Sequence, residues 1–224
     1  MSDTITPADP IAMLAFHRAL RRDLRRTRTL DADYPGRWPN RVRVGRRLRW
    51  VVEQLRWHHE GEDIELWPLL HARDPHLGPD LAAMEREHTA IDGPLAAFDR
   101  AAHGLITGWC DEQSVLRALD ELEPGLLAHL DHEEQALLPH ITRLLDQAEW
   151  DGFQQRGWIR GATPVQALEF ITWITDGTRW SRAEAERLGF PWFAYRFVRQ
   201  FGGGGHCLRP GDPWRGTRAA AIGP

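Results

Sequence analysis

Histidine and glutamate residues occur in this 224-residue chain in two copies of one pattern, displaced by 71 positions. Each copy has a single histidine, then a His-x-x-x-Glu motif, then a proline six residues after the glutamate. The first copy consists of His17, His58, Glu62 and Pro68, and the second consists of His88, His129, Glu133 and Pro139. Imidazole nitrogens and carboxylate oxygens are ligands of first-row transition metals. The duplicated pattern therefore predicts a metal site to which both halves contribute.

Helical periodicity decides which of the many polar residues between positions 57 and 68 face the interior. Apolar residues recur every three or four positions from Val44 to Leu55, and His58 and Glu62 continue that same face. The other polar residues of this stretch are predicted to be surface charges or to support the ligands from outside: His59, Glu60 and Asp63. His17 likewise lies within an apolar helical stripe.

Six titratable side chains in one core are costly to bury unless something compensates them. Metal binding is the interpretation that we favour, and a structural bundle with hydrogen-bonded core histidines is the alternative. The absence of thiolate ligands argues against a structural zinc site, and the four imidazoles argue against magnesium and calcium. Two iron ions sharing Glu62 and Glu133, each with two histidines, fit this donor set best. Manganese ranks second.

The elements that must position these residues are four long amphipathic helices. Apolar spacing predicts a first helix around Met13–Leu24, a second from Arg41 into the low seventies, and two more near 78–106 and 111–148. Pro68 is expected to kink or end the second helix, and Pro124 to bend or delay the fourth. The predicted fold is all-α, an up-down-up-down four-helix bundle with a pseudo-twofold internal repeat.

The remaining residues form a C-terminal helical and aromatic extension, so the predicted domains are 1–149 and 150–224. The extension holds six of the eleven tryptophans, which must be buried somewhere. We expect it to cover the bundle, with a dimer interface or membrane-surface contact as alternatives. Helices are predicted near 163–175 and 181–201, and His206 and Cys207 are expected in a flexible tail rather than in a metal site.

Composition limits the classes of function. All 28 basic residues are arginine, and thirteen of them lie in residues 18–56 against four acids. We interpret this stretch as a solvated face rather than a nucleic-acid site, because the net charge is −4. No apolar run approaches the ~20 residues of a transmembrane helix. The two cysteines make no disulfide framework, and together with the lack of an export signal they favour a cytoplasmic protein.

The duplicated motif resembles that of the hemerythrin-like (HHE) domain family over about residues 10–148. The resemblance implies a non-heme di-iron centre, oxo- or hydroxo-bridged, that meets O₂, NO or peroxide. Oxygen-carrying members use a fifth histidine one turn after the third-helix histidine. Here Asp92 stands one turn after His88, and Arg21 one turn after His17. Simple oxygen storage is therefore not favoured, and Asp92 is expected to be a weak ligand or to accept a hydrogen bond from a coordinated histidine.

Two functions follow from these expectations. One is a di-iron protein that binds or reduces small oxidants, either as a sensor-like binder or as a modest peroxidase or NO-reactive enzyme. The other is an iron- or oxygen-responsive module that signals through its C-terminal segment. Tyr34, in the loop between the first two helices, is a further candidate near the metals.

Overall fold

The computed structural model describes residues 6–30, 38–158, 163–188, 192–193, 196, 213–214 and 217–223. Over these ranges the chain is helical, and an isolated antiparallel bridge pairs Pro7 with Asp146. The helices are α1 (Ile11–Thr27), α2 (Trp38–Gly61), α3 (Trp67–Arg73), α4 (Gly78–Thr107), α5 (Glu112–Ala136), α6 (Leu138–Leu144), α7 (Gln147–Phe153), α8 (Pro164–Ile174) and α9 (Arg182–Arg187). The all-α prediction is confirmed.

Four of these helices, α1, α2, α4 and α5, form the predicted bundle. The turn between α4 and α5 shows how the chain reverses: Gly108 ends α4 in the left-handed conformation (φ 84°), and Asp111 caps α5 by accepting a hydrogen bond from the Ser114 backbone N–H. One large core cluster contains residues of all four helices. No helix in the described part of the chain is both long enough and apolar enough to cross a membrane.

Helical backbone does not end at Pro68, and Pro124 does not delay the start of its helix. Helical backbone passes through Pro68, because a π-helical turn (Glu62–Leu66) joins α2 to α3 and places the proline in the first turn of α3. Pro124 lies inside α5, which nevertheless begins at Glu112. The predicted helix 111–148 is divided instead after Ala136, where α6 begins with Pro139 in its first turn.

The C-terminal extension covers the bundle, as expected. Trp173, Trp180 and Trp214 are buried in the same core cluster as the four bundle helices. The predicted helix at 163–175 is confirmed as α8, with Thr163 forming a capping box with Gln166. The helix expected at 181–201 is described as α9, which is six residues long, and most of the rest of that range lies outside the described residues.

Part of the arginine-rich stretch is buried, which corrects its interpretation as a solvated face. Arg22 and Arg26 of α1, Arg47 of α2 and the carboxylates of Asp23 and Asp176 form a buried cluster. Arg26 Nη1 lies 2.7 Å from Asp176 Oδ2, and Arg47 Nη2 lies 3.1 Å from Asp23 Oδ2. These charges face the extension, because Arg22 also donates to the backbone oxygens of Trp173 and Asp176. The sequence pattern could not reveal this, since the two aspartates lie about 150 positions apart.

Candidate metal centre

All six predicted ligand side chains are buried in one cluster inside the bundle. The helices contribute them as α1 (His17), α2 (His58), the π-helical turn (Glu62), α4 (His88) and α5 (His129 and Glu133). A π-helical turn is uncommon, and such turns occur frequently at functional sites. Here it begins at a predicted ligand.

The four histidines form two pairs that the internal repeat relates. His17 Nε2 lies 3.2 Å from His58 Nε2, and His88 Nε2 lies 3.2 Å from His129 Nε2. Two imidazole nitrogens bound to one metal ion, each about 2.1 Å from it at roughly a right angle, are about 3 Å apart. Each pair is therefore spaced like two ligands of a single ion.

Both carboxylates lie between the two pairs. Glu62 contacts His58 Nε2 at 3.0 Å and His88 Nε2 at 3.6 Å. Glu133 contacts His17 Nε2 at 3.2 Å and His129 Nε2 at 4.0 Å. Each carboxylate thus touches one imidazole of each pair, which is the arrangement that a bridging ligand requires.

The carboxylate oxygens need further compensation. All four oxygens of Glu62 and Glu133 are buried, and they have no hydrogen-bond partner of good geometry among the described residues. Burial, and then the neighbouring Glu133, raises the pKa of Glu62 well above its ordinary value. A cation between the two carboxylates would compensate both of them.

In three of the four histidines, a carboxylate outside the cluster fixes which ring nitrogen carries the proton. The Nδ1–H groups of His17, His88 and His129 donate to Glu134, Asp63 and Glu87, at 2.9, 2.9 and 3.0 Å. Because an ionised carboxylate only accepts hydrogen bonds, the neutral rings carry their proton on Nδ1 and keep a bare lone pair on Nε2. In the His88–His129 pair, two such lone pairs then face each other.

This arrangement fits a metal. Lone pairs at hydrogen-bonding distance repel one another unless a cation or a shared proton lies between them. A carboxylate on the second ring nitrogen is the usual support of a metal-bound histidine. Mixed imidazole and carboxylate donors suit iron or manganese, and the residues present therefore fit the two-metal site that the sequence predicts.

The ionisation of the histidines differs across the cluster. Burial by itself would lower the pKa of His17, but Glu133 and Glu134 outweigh it and raise that pKa above its ordinary value. Burial, and then the neighbouring histidines, lowers the pKa of His58 well below its ordinary value. Glu134 is held ionised, since its contacts with His17 and Arg21 outweigh its burial and lower its pKa to about 2.

The twofold symmetry is broken at two pairs of positions next to the ligands. Phe16 stacks on His58 with ring centroids 4.3 Å apart, whereas its counterpart Glu87 accepts a hydrogen bond from His129. His59 is buried beside His88, whereas its counterpart is Leu130. One nitrogen from each of three side chains, His59, His88 and His129, lies within 4.8 Å of the other two.

The sequence predicts His59 as a surface residue or as a support of the ligands from outside, and its burial against His88 shows that the surface position is wrong. The missed signal was the repeat itself, because Leu130 is an apolar residue and indicates that this position faces the core. The expectation that Asp63 supports the ligands from outside agrees with its hydrogen bond to His88. Asp92, in contrast, is exposed, so it is not part of the buried cluster. The other candidates lie outside the described residues: Tyr34, His206 and Cys207.

Comparisons with known proteins identify the family of this chain. The chain is 27% identical over 140 residues to an uncharacterized hemerythrin-like protein of Schizosaccharomyces pombe, an alignment that spans 62% of this chain and 61% of that protein. No solved structure matches the chain. The sequence model of the hemerythrin HHE cation-binding domain matches residues 11–141, which include all six predicted ligands. The chain therefore belongs to the hemerythrin HHE cation-binding family.

Proposed function

We propose that this protein holds two iron ions and binds or reduces a small oxidant, namely O₂, NO or peroxide. The proposed ligands are His17 and His58 for one ion, His88 and His129 for the other, and Glu62 and Glu133 for both. The observation that carries this proposal is that each buried carboxylate contacts one imidazole of each pair. Manganese is the second choice of metal.

Two ferrous ions held by these residues would supply electrons for the reduction of a small oxidant. The protein's role is to hold the ligating nitrogen and oxygen atoms in place and to keep water away from them. Glu134, Asp63 and Glu87 hold Nδ1 protons, which leaves Nε2 as the donor atom. Phe16 and the buried Trp67 lie against His58 and His88, so apolar rings flank both histidine pairs.

Metal analysis and turnover test the proposal. Protein loaded anaerobically with ferrous iron and freed of excess metal should hold two irons per chain and show a visible spectrum after oxidation. His58→Leu and His129→Leu should each lower the iron content, whereas His103→Leu, at an exposed position, should not. Less than one iron per chain in the wild type contradicts the proposal. Decay of peroxide or NO faster than with free iron identifies an enzyme, and its absence identifies a binder.

A second candidate function is an iron- or oxygen-responsive module that signals through its C-terminal segment. Phe16 favours it, because this ring stacks on His58 and also meets Trp173 of the extension edge-on, with centroids 5.2 Å apart. A shift of the His58 ring would therefore be transmitted to the extension through Phe16, which contacts both His58 and Trp173. Limited proteolysis should then cut residues 150–224 at different rates in the metal-free, ferrous and ferric forms. Equal rates in all three contradict it.

The proposal extends to the domain organisation, cellular location and partners of the protein. We propose 1–149 as the metal-holding domain and 150–224 as its cover, and a cytoplasmic location that the two cysteines favour. We propose no nucleic-acid partner, since many of the arginines at 18–56 are already engaged with carboxylates. Among them are Arg21, Arg28 and Arg49, which pair with Asp131, Glu123 and Asp99.

A further inference from the structure

His59 is a buried imidazole that the six-ligand site does not use. Its side chain is only 6% exposed, and its buried Nε2 atom has no hydrogen-bond partner within the part of the chain that the structure describes. The ring stacks on His88 with centroids 3.9 Å apart, and it meets His129 edge-on at 5.2 Å. It therefore adjoins both imidazoles of the second pair.

Packing does not explain a histidine at this position. The counterpart Leu130 is fully buried in the other half, so an apolar side chain satisfies the same place in the bundle. A buried polar atom without a partner costs free energy, roughly 1–3 kcal/mol. Such a cost is explained where the atom binds an ion or another group from outside the polypeptide.

We infer that His59 is a fifth imidazole ligand, which binds the metal ion held by His88 and His129. This inference rests on the proposed two-iron function and deepens it. The three nitrogens already lie within 4.8 Å of one another, and rotation of the His59 ring out of its stack on His88 would let all three reach one ion. The fifth imidazole comes from the end of α2 and not from the turn after His88, where Asp92 is exposed.

The two metal positions are then unequal. One has three imidazoles, and the other has only those of His17 and His58. A small oxidant would then be expected beside His17 and His58, where fewer imidazoles would hold the ion.

Cobalt(II) binding tests this inference directly. In wild-type protein loaded with cobalt alone, five hyperfine-shifted, exchangeable imidazole N–H proton resonances are expected, one for each bound histidine. Four resonances would overturn the assignment. Because this count uses the unmodified protein, it does not depend on whether any variant folds.

Two variants separate a metal ligand from a stacking partner. His59→Phe keeps an aromatic ring against His88 but removes the nitrogen, and His59→Leu copies the residue at position 130. Both should still bind two cobalt ions, with the affinity for one of them lowered at least about tenfold and with four N–H resonances. Wild-type affinity for both ions in His59→Phe would overturn the inference.

The same titration distinguishes a failure of the two-iron proposal from a failure of the fifth-ligand inference. Wild-type protein that binds fewer than two cobalt and fewer than two ferrous ions contradicts the two-metal site itself. Two bound ions that are insensitive to His59→Phe contradict only the fifth ligand.

Discussion

The hydrogen bond between Asp63 and His88 provides the sharpest test of how this site is built. Asp63 Oδ1 lies 2.9 Å from His88 Nδ1, and it is the repeat counterpart of Glu134, which bonds His17 in the same way. Asp63→Asn keeps the shape of the side chain but removes its charge. The ring of His88 then loses the carboxylate that holds its proton on Nδ1 and makes Nε2 more basic.

Loss of such a carboxylate typically costs 10–100-fold in metal affinity, or ~1.4–2.8 kcal/mol. The lower end is expected for Asp63, because its side chain is 37% exposed and water partly screens the interaction. Only the ion bound by His88 should be affected strongly. Glu134→Gln should weaken the other ion instead, since Glu134 bonds His17.

Competition with a chromophoric chelator, read as two stepwise dissociation constants for iron(II), measures this effect. Glu60→Gln is the matched control, because Glu60 is an acidic residue of the same stretch whose side chain is exposed. The reasoning is refuted if Asp63→Asn binds both ions like the wild type, or if Glu60→Gln loses as much affinity.

Three further predictions concern stability. Asp176→Ala removes one of the carboxylates around buried Arg26, which keeps Asp23 at 3.7 Å and backbone oxygen acceptors, so it should lower the free energy of unfolding by about 3 kcal/mol in urea titrations, the low end for a broken buried pair. Glu186→Gln, in an exposed pair with Arg182, should change it by less than about 1 kcal/mol. Burial, and then the neighbouring histidines, lowers the pKa of His59 well below its ordinary value of 6.5, so the unfolded chain takes up this proton at a higher pH than the folded chain does. As the pH falls through 6.5, metal-free wild type should therefore lose free energy of unfolding relative to His59→Leu, and a difference between the two that does not change with pH contradicts this. Metal at about 100 times its dissociation constant should add about 2.7 kcal/mol of stability, visible as a higher melting temperature that a chelator reverses.

The sequence predicts the bundle and its six central side chains well because two periodicities act together. Helical spacing selects His58 and Glu62 from a crowded stretch, and the 71-residue displacement selects the same two positions again at His129 and Glu133. All six side chains are indeed buried together.

The residues that were wrongly expected at the surface, His59, Arg22 and Arg26, have a common physical explanation. His59 lies beyond the strict seam of α2, but the buried face of a helix is wider than one residue, and the backbone changes to a π-helical turn three residues later. Arg22 and Arg26 were assigned to solvent because their partners lie in the extension, at distances along the chain that no local pattern reports. Helical phase gives the direction of a side chain, but it does not give what packs against it.

The departures from twofold symmetry next to the ligands link the site to the extension. At position 16 the repeat has exchanged a carboxylate for a ring, and that ring meets both His58 and Trp173. A glutamate at that position, like Glu87 in the other half, would place a charge against a buried tryptophan. The cover of the bundle therefore requires an apolar residue where the second half has a proton acceptor. Glu87 accepts a hydrogen bond from His129, whereas the ring of Phe16 offers no acceptor of that kind to His58. The surroundings of the two proposed metal positions are therefore expected to differ, because the extension covers one side of a duplicated bundle.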